Sequence, residues 1–99
     1  MTRGEALRNN ITSEYDIEGV AAEVMIDAIC STADELETLE GALDAEGPLL
    51  DGARGQKVAN PALAGIARHR ALLAKLLADA FPGEHESNSQ KAARAGRAT

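Results

Sequence analysis

Gly47-Pro48-Leu49-Leu50-Asp51-Gly52-Ala53-Arg54-Gly55-Gln56-Lys57-Val58-Ala59-Asn60-Pro61-Ala62 divides the chain into halves of opposite charge. Gly47 is suited to end a helix and Pro48 prevents its resumption. Pro48-Leu49-Leu50 and Gln56-Lys57-Val58 are short apolar-containing runs on either side of Asp51-Gly52-Ala53-Arg54-Gly55, where two glycines provide for a tight turn. A small β-hairpin is expected there. Asn60 then stands as N-cap with Pro61 at the first helical position, a strong start signal for a second helix.

Upstream of this stretch, Met25, Ile29, Leu36, Leu39 and Leu43 recur at helical spacing, interrupted at Thr32. Ile17, Val20, Ala21, Val24 and Ala28 make a second stripe, so the start of this helix is apolar over a wider arc than one partner helix covers. The surplus calls for another subunit, and Val20, Val24 and Met25 are the expected oligomer interface. A start at Asp16 or Ile17 keeps Gly19 in the first turn, although Ser13 with Asp16 also makes a capping box. Glu5 to Ser13 reads as a short, weak helix with a break near Tyr15. Downstream, Leu63, Ile66, Leu73, Leu77 and Ala80, widened by Leu72 and Leu76, form one stripe that stops at Phe81-Pro82-Gly83.

The expected fold is therefore mainly α: a long helical hairpin with a small β-hairpin between its two helices and a mobile C-terminal tail. Residues 1–15 form an N-terminal arm or short helix. Residues 16–84 form the helix, β-hairpin, helix oligomerisation domain. Residues 85–99, without large apolar side chains, form a basic flexible tail.

From Ser13 to Asp51 the chain carries acids and no Lys or Arg, whereas Gly52 onward is mostly basic. The two helices attract when laid antiparallel, and Arg70 and Lys75 are expected to pair with acids of the first. The net charge of −6 excludes nucleic-acid binding through the whole surface, so any such contact is local. Candidate DNA contacts are Arg54 and Lys57 on the hairpin, which lack obvious partners, Arg68 on the second helix, and Arg3 and Arg8 near the N-terminus. Lys91, Arg94 and Arg97 on the tail are candidates for contact with DNA or a protein partner.

Hydrophobic residues make up 44% of the chain but aromatic ones only 2%, so the core must be aliphatic and thin. A lone Cys30 allows no internal disulfide, and two isolated histidines make no zinc site. Oligomerisation is the remaining source of stability. No long apolar run suggests a leader or a membrane span, so a cytoplasmic, reducing location is expected. Gly52 to Lys57 lacks the spacing of a phosphate loop, and Glu37 and Glu40 read as a solvated helix face. His69, between two arginines, reads as an exposed or half-packed residue, and Cys30 as a small core side chain. With no nucleophile, base and orienting group assembled, neither enzymatic activity nor a cofactor is expected.

Tyr15-Asp16 before a long helix, Ser31-Thr32-Ala33-Asp34-Glu35-Leu36-Glu37 within it, and Glu46-Gly47-Pro48 at its end begin a recognisable order. It continues through Gly55-Gln56-Lys57-Val58-Ala59-Asn60-Pro61-Ala62-Leu63 to Arg68-His69-Arg70-Ala71-Leu72-Leu73-Ala74-Lys75-Leu76-Leu77. Over roughly Tyr15 to Phe81 the chain resembles the terminase small subunits of tailed bacteriophages, in the branch with a helix, β-hairpin, helix plan. The resemblance implies a ring-forming, non-enzymatic component that engages double-stranded viral DNA in the host cytoplasm. It also implies a large terminase subunit as partner, whose ATPase and nuclease the ring regulates. A helical-hairpin adaptor or antitoxin-like module without DNA binding is the alternative.

Overall fold

The computed structural model describes residues 1–82. Its elements run α1 (Arg3–Glu14), α2 (Val20–Glu46), β1 (Leu49–Asp51), β2 (Lys57–Ala59) and α3 (Ala62–Ala80). The helical hairpin with a small antiparallel ribbon between its arms is present as the sequence predicts. The expected tail, with Lys91, Arg94 and Arg97, lies outside the described residues.

α2 is the axis of the fold, and α1 and α3 both pack on it. Its buried residues, Ile26, Ile29, Cys30, Thr32, Ala33 and Leu36, follow helical spacing but span a broad arc. The flank carrying Leu39 meets α3, where a Cβ on Gly65 would lie 3.2 Å from Leu39 Cδ1. The flank carrying Cys30 and Asp34 meets α1, where a Cβ on Gly4 would come within 2.4 Å of the Cys30 carbonyl oxygen. The core joins Ile11, Ile26, Ile29 and Cys30 to Leu73, Leu77 and Phe81, with Ile29 fully buried. Thr32 fits this interior because its hydroxyl donates to the Ala28 carbonyl at 2.7 Å.

α1 is longer than the expected Glu5 to Ser13, because its first turn is capped from two directions. Thr2 Oγ1 accepts from Glu5 N at 3.1 Å, the ordinary local cap. Across the helix contact, Asp34 Oδ1 accepts from Gly4 N at 2.7 Å and Glu37 Oε1 from Arg3 N at 3.3 Å. These carboxylates satisfy amides that an isolated helix leaves without acceptors, and they sit at the positive end of its dipole.

α2 starts later than expected. Gly19 is not in its first turn but at the N-cap with φ of 90°, a conformation that favours glycine, and no side chain caps the helix there. Ser13 instead donates to the Asn10 carbonyl. At the other end Gly47 adopts φ of 83° and its N–H reaches Leu43 O at 2.7 Å. The ribbon pairs Leu49 with Ala59, Leu50 with Val58 and Asp51 with Lys57.

Asn60, only 5% exposed, ties these pieces together. Its Oδ1 accepts from Ala62 N at 3.0 Å, which caps α3, while its Nδ2 donates to Gly47 O at 2.9 Å. Pro61 already has helical dihedrals, φ −56° and ψ −23°, so the expected cap and first helical position stand within the usual play of helix boundaries. At the far end of the hairpin of helices, the Tyr15 and Phe81 rings pack at 4.6 Å between centroids, which joins the α1–α2 linker to the end of α3.

Candidate assembly and nucleic-acid surfaces

The acids of α2 are met by α1 as much as by α3. Arg3 reaches Glu40 at 2.7 Å and Glu37 at 4.0 Å, and Arg8 pairs with Asp27. From α3, Arg70 reaches Glu40 at 3.3 Å, and His69 donates to Glu35 at 2.8 Å. Glu40 thus receives guanidinium groups from both neighbouring helices. The hydrogen bond from Arg3, followed by the charges of Arg3 and Arg70, holds its carboxyl below the usual range. Lys75, expected to pair with α2, has no ion pair among the described residues.

His69 is half-buried, with Nδ1 at 2.8 Å from Gly65 O and Nε2 on the Glu35 carboxylate. Both ring nitrogens face acceptors, so the imidazolium satisfies both. The Gly65 carbonyl first, then Glu35, raises its pKa.

The hairpin cations differ from expectation. Lys57 is not without a partner: its Nζ lies 2.6 Å from Asp51 Oδ1 directly across the ribbon, a pair the strand register dictates. Both side chains are largely exposed, so the pair contributes little and is readily released. Arg54, Arg68 and Lys75 are exposed and have no ion pair among the described residues. Arg68 and Lys75 stand two helical turns apart on one face of α3. Arg3 and Arg8, also DNA candidates, are spent on α2 carboxylates.

Of the expected interface residues, Val20 is 81% and Val24 61% exposed, one turn apart on α2. Met25 packs partly against the core and also faces the groove at this end of the helix. Beside the two valines lies an open groove of about 590 Å³, whose lining includes Tyr15, Ile17, Ala21, Met25, Phe81 and Pro82. Cys30 is buried, and burial pushes its thiol pKa up, which leaves it inert as a nucleophile. Among the described residues no group of three His, Cys, Asp or Glu side chains is placed to hold a metal, and no helix is long and apolar enough to cross a membrane.

Arg3, Arg8, Asp34 and Glu37 as cross-helix partners, and the His69 to Glu35 link, were not visible in sequence spacing. They join residues 19 to 37 positions apart. The chain matches no protein-family model, and neither a curated protein nor a solved structure is detectably similar to it.

Proposed function

We propose that this chain is a terminase small subunit of a tailed phage. In this reading it is a ring-forming, non-enzymatic component that engages duplex viral DNA in the host cytoplasm and regulates the ATPase and nuclease of the large subunit. One observation carries the reading: the helix, β-hairpin, helix order about Asn60 leaves an apolar surface exposed at the start of α2 and, on the outside of α3, cations without an ion pair among the described residues. Arg68 and Lys75, with Arg54 on the hairpin, are too few in one copy to hold a polyanion. Repeated around an assembly, they become sufficient together. Binding is then weak per subunit, tolerant of sequence and steeply salt-dependent.

The test is absolute mass by light scattering, followed by duplex binding at several salt concentrations. The native chain is expected to form a multi-copy assembly, and Val24→Glu to disrupt it. Arg68→Ala with Lys75→Ala is expected to lower affinity for all duplexes alike and to flatten the dependence of log K on log salt, leaving mass unchanged. A monodisperse monomer for the native chain would sink the reading.

A helical-hairpin adaptor without DNA binding is favoured by a different observation: carboxylates already engage Arg3, Arg8 and Lys57. An assembled protein that ignores duplex DNA even at low salt decides for the adaptor.

A further inference from the structure

Two surfaces at opposite ends of α2 are incomplete in complementary ways. The helix has 27 residues, which sets its ends about 40 Å apart. At the N-terminal end lies the groove, walled by Ile17, Met25 and the Tyr15–Phe81 ring pair. Its volume of about 590 Å³ has room for several aliphatic side chains. Asp16 lines it, Glu18 and Glu23 adjoin its lining residues Ile17 and Ala22 in sequence, and all three are exposed without an ion pair among the described residues.

At the other end stands the β-ribbon. Residues opposite each other in an antiparallel pair share a face, so Leu50 and Val58 lie on one side and Leu49 and Ala59 on the other. Leu49 is 56% and Val58 38% exposed, so neither face is covered. A two-stranded ribbon of this length is marginal in water by itself, and its uncovered edges invite a partner. Arg54 at its turn is exposed and has no ion pair among the described residues.

We propose that the ribbon of one copy seats in the groove of the next, so that copies associate head to tail. Val58, with Leu50 beside it on the same face of the ribbon, supplies the apolar side chains that the groove has room for, and Arg54 faces Asp16 at its lip. A second copy is the fitting occupant because the projecting apolar ribbon with its exposed cation Arg54 and the apolar concavity with its exposed acid Asp16 occur in one sequence. The rival symmetric contact, groove against groove, sets Asp16 against its own copy with no Lys or Arg in the lining to meet it, and such like-charge juxtaposition is costly. A head-to-tail contact is heterologous, so it generates a ring if the rotation closes. The inference rests on the oligomeric part of the proposed function and is independent of the DNA part. Seating removes Arg54 from the DNA-facing cations and leaves Arg68 and Lys75.

The test uses two full-length variants, Ala21→Glu in the groove and Val58→Glu on the ribbon, with helix content checked by circular dichroism. Each alone is expected to give the mass of one copy. Mixed in equal amounts, they should give a pair and stop there, because one intact ribbon finds one intact groove and both outer ends are blocked. Should Val58→Glu disturb the fold, Arg54→Glu takes its place, and Asp16→Arg in the same chain is expected to restore assembly. A native chain that assembles while both ribbon variants, Val58→Glu and Arg54→Glu, still assemble overturns this inference and leaves the proposed function standing. Two monomeric variants that fail to pair when mixed also overturn it, since that behaviour marks a two-fold contact. A monomeric native chain removes both proposals.

Discussion

Gly4 sets how closely α1 approaches α2. A methyl group there meets the Cys30 carbonyl at 2.4 Å and the Asp34 carboxylate at 2.7 Å, and the backbone contact has no flexible end to yield. Gly4→Ala is expected to cost about 1–3 kcal/mol, as overpacking of a tight contact does, read as a lower midpoint in urea at unchanged slope. His69 makes a pH-dependent contribution whose sign follows from its raised pKa. Stability from the His69 contacts is fully present below the ordinary histidine pKa and is lost as pH rises through the higher folded-state value. Glu40 behaves oppositely: its lowered pKa gives stability that is present above the ordinary glutamate value and lost as pH falls through the folded one. His69→Gln is expected to flatten melting temperature against pH on the alkaline side of pH 6.5 and to leave the acid limb, where Glu40 titrates, in place.

Among the elements, α2 carries an avoidable weakness and the hairpin an indispensable bracket. Gly41 is an exposed residue inside the helix, and a Cβ there meets nothing within 4 Å. Gly41→Ala is therefore expected to stabilise by about 1 kcal/mol, a rise of roughly 4–8 °C in melting temperature for a chain of this size. Asn60→Ala removes an acceptor from Ala62 N and a donor to Gly47 O at a buried site. A loss of about 1–3 kcal/mol is expected by the same measurement. These local devices were legible in the sequence: Gly47-Pro48, the two-glycine turn and Asn60-Pro61 act within a few residues of themselves. The α1 contact was not. Ile26, Cys30 and Ala33 interleave with the apolar stripe already read on α2, so a third buried flank looked like breadth of a second one. Nothing near Gly4 announces that its missing Cβ faces a carbonyl 26 residues away, and the pairs of Arg3 and Arg8 are likewise set by tertiary approach. Of the candidate surfaces, the exposed Val20 and Val24 and the free Arg54 and Arg68 were legible. The groove was not, because residues from both ends of the described chain form it.

At the scale of the whole molecule, the fold is a two-helix frame with a third helix fastened to it by charge as well as by packing. Hydrogen exchange is expected to show this as two levels of protection, with α1 amides exchanging before those of α2 around Ile29. Equal protection throughout would show a single cooperative unit. The cross-helix caps of α1 carry a consequence for how copies can be exchanged. Asp34 and Glu37 accept from amides of a segment joined to α2 only through residues 15–19, so nothing in those bonds requires donor and acceptor to belong to one chain. Opening of α1 on the 15–19 hinge presents these carboxylates to the amides of another copy. At high protein concentration the α1 of one copy can then fasten onto a neighbour's α2 in place of its own, and the product is a domain-swapped dimer.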